Sequence, residues 1–172
     1  MKRICILATL LVMGAQSFGQ SGPKVFIGVG GGFDYGGLGG KIEFLPEQHV
    51  GIFGGAGYDL LSLGWNSGVS YNILPGNTVS PKVMAMYGYN GVFKGSDSYT
   101  AQYNMTSYGP TVGVGLDVLT GASGNKLSVG LLVPFRTRKF TDNYHAAKDD
   151  PNIELKNSLL PVGISFGYNI LL

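Results

Sequence analysis

Cysteine is nearly absent: Cys5 is the single one in 172 residues, and it stands before the first apolar run rather than after it. That excludes a disulfide framework and a cysteine metal site, and it leaves no cysteine where a lipoprotein would need one for acylation. Charge is scarce as well. Asp, Glu, Lys and Arg make up 13% of the chain, against about 25 per cent in ordinary soluble domains. Twelve basic residues meet ten acidic ones, a net charge of only +2, which argues against a nucleic-acid partner. The two histidines, His49 and His145, share no metal-ligand spacing. Beyond residue 20 no apolar stretch is long enough for a membrane-crossing helix, so any crossing of a membrane has to use strands.

What the chain does have begins with a leader. Lys2 and Arg3 precede an apolar run over residues 4–13 and a small, polar exit over 14–20. This order is that of a secretory signal peptide. Two segments are expected: a cleaved signal peptide at 1–20 and one barrel domain at 21–172. Cleavage would remove Cys5 and two of the basic residues, leaving a mature chain near neutrality. Glycine is the outlier in the other direction, 29 of 172 residues, where typical usage is about 7 per cent. It is mixed with aromatic and β-branched residues, which points to strands rather than linkers.

The clearest pattern lies at the end of the chain. Leu160, Val162, Ile164, Phe166, Tyr168, Ile170 and Leu172 alternate with Pro161, Gly163, Ser165, Gly167 and Asn169. A period of two with one apolar and one small, polar side is a strand with two unlike faces. The same alternation predicts seven further strands, over residues 24–34, 38–45, 49–59, 61–74, 79–90, 107–119 and 126–136, with the last over 157–172. The connections alternate in length. Short turns follow the even strands, and two long loops, 91–106 and 137–156, fall on the other side. Short turns opposite longer loops are the mark of an outer-membrane barrel. The expected fold is therefore all-β, an eight-stranded antiparallel up-and-down transmembrane β-barrel.

Three features turn the apolar face toward lipid rather than toward an enclosed cavity. The polar face consists mostly of Gly, Ser and Asn, which suit the tight interior of eight strands better than a water-facing surface. Aromatic residues on the apolar face gather near strand ends. Phe33, Tyr58, Tyr87, Tyr89, Tyr108 and Phe135 are expected as a girdle at the loop side, and Phe44, Tyr71 and Tyr168 at the turn side. The third feature is the leader. On the inner face Lys41, Glu43, Lys82, Asp117, Lys126 and Arg136 are expected to pair with one another, because a charge in a dry interior must be paired. Glu43 with Lys41 and Lys82 is the expected cluster. At the loop-side rim Arg136, Arg138 and Lys139 are candidates for contact with lipopolysaccharide phosphates, and the polar stretch 141–152 is expected to be an exposed loop tip.

The leader, the eight amphipathic strands and the closing Gly163-Ile164-Ser165-Phe166-Gly167-Tyr168-Asn169 strand resemble small outer-membrane β-barrel proteins of the OmpA/OmpX-like, porin-related superfamily. The resemblance spans essentially the whole mature chain. It implies a cell outer-membrane location, outer-membrane lipid and lipopolysaccharide as surroundings, and the barrel-assembly machinery as partner during biogenesis. Leu172 departs from the terminal aromatic residue common in that family, which would leave Phe166 and Tyr168 to be recognised. No peptidoglycan-binding domain is expected after the barrel.

The remaining motifs carry less. Gly163-Ile-Ser165-Phe-Gly167 fits the nucleophile pattern G-x-S-x-G, but that motif needs a strand-to-helix elbow and here it lies within an alternating strand. The glycine run 28–40 lacks phosphate-loop spacing. His145, near Asp142, Asp149 and Asp150, is the one site at which a lipid A-modifying acyl enzyme could be built, without a family motif to support it. The expected role is that of an integral membrane protein with a mostly filled lumen, structural or surface-interacting, monomeric, without cofactor and without catalysis. A narrow channel for ions or small solutes is the alternative.

Overall fold

A computed structural model describes residues 22–93, 104–121, 123–149 and 160–172. The leader expected at 1–20, most of the 91–106 loop and the first residues of the expected eighth strand lie outside the described residues. Eight strands are formed: β1 (Lys24–Gly32), β2 (Gly37–Leu45), β3 (Val50–Tyr58), β4 (Leu63–Asn72), β5 (Val79–Phe93), β6 (Met105–Thr120), β7 (Asn125–Pro134) and β8 (Gly163–Leu171). Each pairs antiparallel with its sequence neighbour, and β1 pairs with β8 to close the ring. Closure removes both sheet edges, so every strand finds partners on two sides.

The registers fix the shape. From Gly28 the paired positions run through Lys41, Gly55, Asn66, Gly88 and Gly109, and continued along β7 and β8 they return to β1 ten positions further on. For eight strands a stagger of that size corresponds to a tilt of about 40°.

The alternation of the sequence becomes an alternation of exposure. Val29 is 68% exposed, Leu63 70% and Ile164 66%, while Glu43, Asn66 and Asn169 are at 1–2%. The apolar face is the outer wall, and the polar face lines the lumen. Two strands run longer than the rest: β5 has 15 residues and β6 has 16. They extend beyond the loop-side rim as a hairpin.

Three local departures from strict alternation matter. After Gly32 the chain leaves β1 and makes a one-turn 3-10 helix, Phe33–Tyr35, which folds into the lumen. Between Tyr89 and Gly91 the β5–β6 ladder shifts register, and residues 88–91 are all buried in succession. After β7 the polar stretch expected as a loop tip instead forms a helix, α1 (Arg138–Asp149). No Gly or Pro interrupts these residues, and Phe140 and Tyr144, one helical turn apart, are its buried pair. Phe93 packs edge-on to Tyr144 at 5.9 Å, and Asn143 contacts the Met105 sulfur at 3.8 Å. The helix thus lies on the projecting hairpin.

Candidate functional site in the barrel lumen

Near the turn side the lumen holds a chain of ion pairs. Glu43 is third from the end of β2, Asp117 is near the end of β6, Lys126 is second in β7, and Lys82 is fourth in β5. The Lys126 Nζ lies 2.7 Å from Glu43 Oε2 and 2.8 Å from Asp117 Oδ2, and Lys82 Nζ lies 2.6 Å from Asp117 Oδ1. Hydroxyl groups use the remaining carboxylate oxygens: Ser70 donates to Glu43 Oε1 at 2.9 Å and Ser128 to Asp117 Oδ1 at 2.7 Å. Asn169 in turn donates to Ser128 at 2.9 Å. The Lys126 ammonium also sits 4.2 Å from the centre of the Phe26 ring, a favourable placement for a cation shielded from water. Two carboxylates and two ammonium groups cancel, which is what burial of charge requires.

Deeper toward the loop side the construction changes. The inward turn carries Asp34 and Tyr35, and Lys41 meets it from β2: Lys41 Nζ is 2.6 Å from Asp34 Oδ2 and 4.4 Å from the Tyr35 ring centre. Tyr35, fully buried, donates to Asn169 Oδ1 at 3.2 Å. Asn66 donates to the carbonyls of Phe33 and Tyr89. The walls around the turn are bare backbone. A Cβ at Gly30 would lie 2.8 Å from the Tyr35 ring, and one at Gly57 2.7 Å from the Tyr35 carbonyl oxygen. A side chain at Gly55, Gly64, Gly163 or Gly167 would likewise strike Asp34, Gly36, Phe33 or Tyr35. Across from the turn, Phe53, Met84, Met86 and Leu132 form a small apolar cluster, with Phe33 packed against it.

Of the six inner-face charges expected to pair, the structure brings five into ion pairs, but with different partners. Glu43 pairs with Lys126, not with Lys41 or Lys82, because the stagger carries β7 to its level. Arg136 is not among them. It follows the end of β7, and its guanidinium donates to the Leu160 carbonyl at 2.8 Å at the rim. Asp34, Tyr35, Ser70, Ser128 and Asn169 complete the network and were not among the expected site residues. Their inward alternation marked Ser70, Ser128 and Asn169, whereas Asp34 and Tyr35 gave no periodic signal.

Of the nine aromatic residues expected to face outward, two do not. Phe33 turns inward with the 3-10 turn, and Tyr89, 6% exposed, turns inward at the register shift; their rings meet edge-to-face at 5.6 Å. Tyr58, Tyr87, Phe135, Phe44, Tyr71 and Tyr168 are on the outer wall, and Tyr108 is half-buried there against Trp65 at 6.0 Å. Arg138 and Lys139 are exposed at the start of α1. Ser165 faces the lumen in mid-strand, away from any helix start. His49 lies by the β2–β3 turn and His145 on α1, at opposite ends of the barrel. Among the described residues no three His, Cys, Asp or Glu side chains gather as metal ligands.

The molecule is thus a closed, eight-stranded up-and-down barrel, ion-paired and glycine-lined within and apolar without. Neither a known family's sequence pattern nor any curated protein matches the chain. Among solved structures it is similar to the crystal structure of the N-terminal beta-barrel domain of Pseudomonas aeruginosa OprF, at 18% identity and a TM-score of 0.47, over 88% of this chain and all of that one.

Proposed function

We propose that this protein is an integral β-barrel of a bacterial outer membrane, with a resting lumen closed by its own side chains. One observation carries the reading. Large apolar side chains, Ile27, Val29, Ile52, Val69, Val114, Leu131 and Ile164 among them, stand exposed around the whole outer wall, while the charges are buried inside. In water such a wall would be far larger than the apolar patch a soluble monomer tolerates; in lipid it is the required surface.

The aromatic residues support two interfacial rims. Tyr58, Trp65, Tyr87, Tyr108 and Phe135 lie toward the loop end, Phe44, Tyr71 and Tyr168 toward the turn end, and amphipathic rings settle at headgroup depth. The exposure of Arg138 and Lys139 just beyond Phe135 supports a reading in which they meet lipopolysaccharide phosphates. Arg136 contributes less, since its guanidinium is engaged by Leu160. Phe166 and Tyr168, both on the outer wall of β8, are the aromatic signals offered to the assembly machinery. The role is structural or surface-interacting, carried out by a monomer without catalysis.

The test is the migration of the refolded mature chain on SDS gels, cold against boiled. A fast cold band that slows on boiling, with β-rich circular dichroism, is the expected result. A chain that folds in plain buffer and shows no shift would overturn the reading.

A further inference from the structure

We propose that the inward 3-10 turn between β1 and β2 is a withdrawable plug, and that its departure opens a passage preferring small anions. The proposal rests on the membrane reading above and goes beyond it by naming the moving part and the ion class.

Four observations carry it. First, the turn is hinged. Gly32, Gly36 and Gly37, which flank Phe33-Asp34-Tyr35, all have positive φ, at 134°, 69° and 109°, conformations in which glycine moves freely and other residues do not. Second, its seat consists of glycine backbone from β1, β3, β4 and β8. Such a wall packs closely but offers few side chains to interlock with the turn, and it leaves open space when the turn moves out. Third, its polar side-chain attachments among the described residues are few: the Lys41–Asp34 pair, the Tyr35–Asn169 hydrogen bond and the Asn66 bond to the Phe33 carbonyl, beside the apolar packing of Phe33 on Phe53, Met84, Met86, Leu132 and Tyr89. The second carboxylate oxygen of Asp34, buried, has no partner among the described residues. Fourth, Tyr35 reaches from the rim down to Asn169, which belongs to the ion-pair layer. With the turn gone, the glycine-lined side of the lumen leads directly to that layer of charged, hydratable side chains, past the apolar cluster of Phe53, Met84, Met86 and Leu132.

Charge decides the selectivity. With the turn seated, Lys41, Lys82 and Lys126 are matched by Asp34, Glu43 and Asp117. When the turn leaves, Asp34 goes with it, and three ammonium groups face two carboxylates. The opened passage is therefore net positive and concentrates anions.

The experiment is planar-bilayer recording of the refolded mature chain under a steep KCl gradient, with Asp34→Asn and Lys41→Gln compared. Either substitution cuts the latch, so both should raise the open fraction by roughly tenfold or more. They should differ in reversal potential: Asp34→Asn openings prefer chloride, and Lys41→Gln openings, with two cations against two anions, show little preference. A third variant, Tyr35→Ala, removes the body of the plug and should conduct more steadily than either. If Tyr35→Ala conducts while both latch variants stay silent, the turn is fixed and the proposal fails. If all three stay silent although each shows the boiling-dependent gel shift, the glycine seat is no passage and the proposal fails while the membrane reading stands. Loss of the gel shift in the wild type sinks both.

Discussion

The turn-side and loop-side halves of the lumen meet the same demand by opposite means. Both must fill the inside of a narrow ring whose wall alternates inward and outward at every residue. The turn-side half inserts long charged side chains and cancels them pairwise, with Lys126 shared between Glu43 and Asp117. The loop-side half replaces side chains with glycine on the part of the wall next to the turn and brings in a piece of backbone, Phe33–Tyr35, against it. The first solution is strong where each charge keeps its partner and fails sharply when one is lost. The second depends on the absence of atoms and fails when any are added.

The largest effect is therefore expected in the turn-side half. Lys126→Met leaves Glu43 without its ion-pair partner and Asp117 with Lys82 alone, and breaking a buried pair from one side costs about 3–5 kcal/mol. Urea unfolding in phospholipid vesicles, followed by the fluorescence of Trp65, the chain's single tryptophan, would measure it; a loss below about 1 kcal/mol would mean that water already reaches these charges. The outer wall provides the next contrast. Val29→Arg places a charge near the middle of the apolar belt and should cost about 2–4 kcal/mol in a bilayer, whereas an exposed substitution on a soluble barrel stays within about 0.5 kcal/mol.

In the loop-side half the expected cost is smaller and can be repaired. Gly167→Val would strike the Tyr35 ring and should destabilise by about 1–3 kcal/mol. Adding Tyr35→Ala should recover much of that loss, because the obstacle is then removed from the other side; two losses that simply add would show that the clash lies elsewhere. The smallest effect is expected at Leu60, which holds a φ of 81° between β3 and β4. Leu60→Gly relieves that strain and should raise stability by a few tenths of a kcal/mol to about 1 kcal/mol. An unchanged midpoint would mean that the greater freedom of glycine in the unfolded chain offsets the relief.

The fold was open to reading because strand alternation is a local signal: each residue needs only its neighbours to declare its side. All eight strands and their order followed from it, as did the inward placement of Glu43, Lys82, Asp117 and Lys126. What stayed hidden was set by geometry between distant positions. The partner of Glu43 depends on the stagger accumulated around the ring, which no single strand records. Phe33 continues the rhythm of Val29 and Gly31, so its departure into the lumen is invisible to periodicity, and only the glycines on either side of the turn hint at it. Tyr89 was misplaced by one inserted residue, the smallest error that reverses a face. The helix α1 was hidden by its polarity, although Phe140 and Tyr144 one turn apart were a usable sign.

The hydrogen bond between Tyr35 and Asn169 joins positions 134 residues apart, one near the start of the barrel and one in its last strand. The seat for the turn includes Gly163, beside Phe33, and Gly167, beside Tyr35, of that same strand, so it is not complete until β8 has paired with β1. Contacts this distant in sequence form late, after the chain's local hairpins. Seating of the turn is thus tied to completion of the ring: a barrel still waiting for its final strand lacks one wall of the seat, and the pairing of β8 with β1 supplies that wall and closes the ring in the same event.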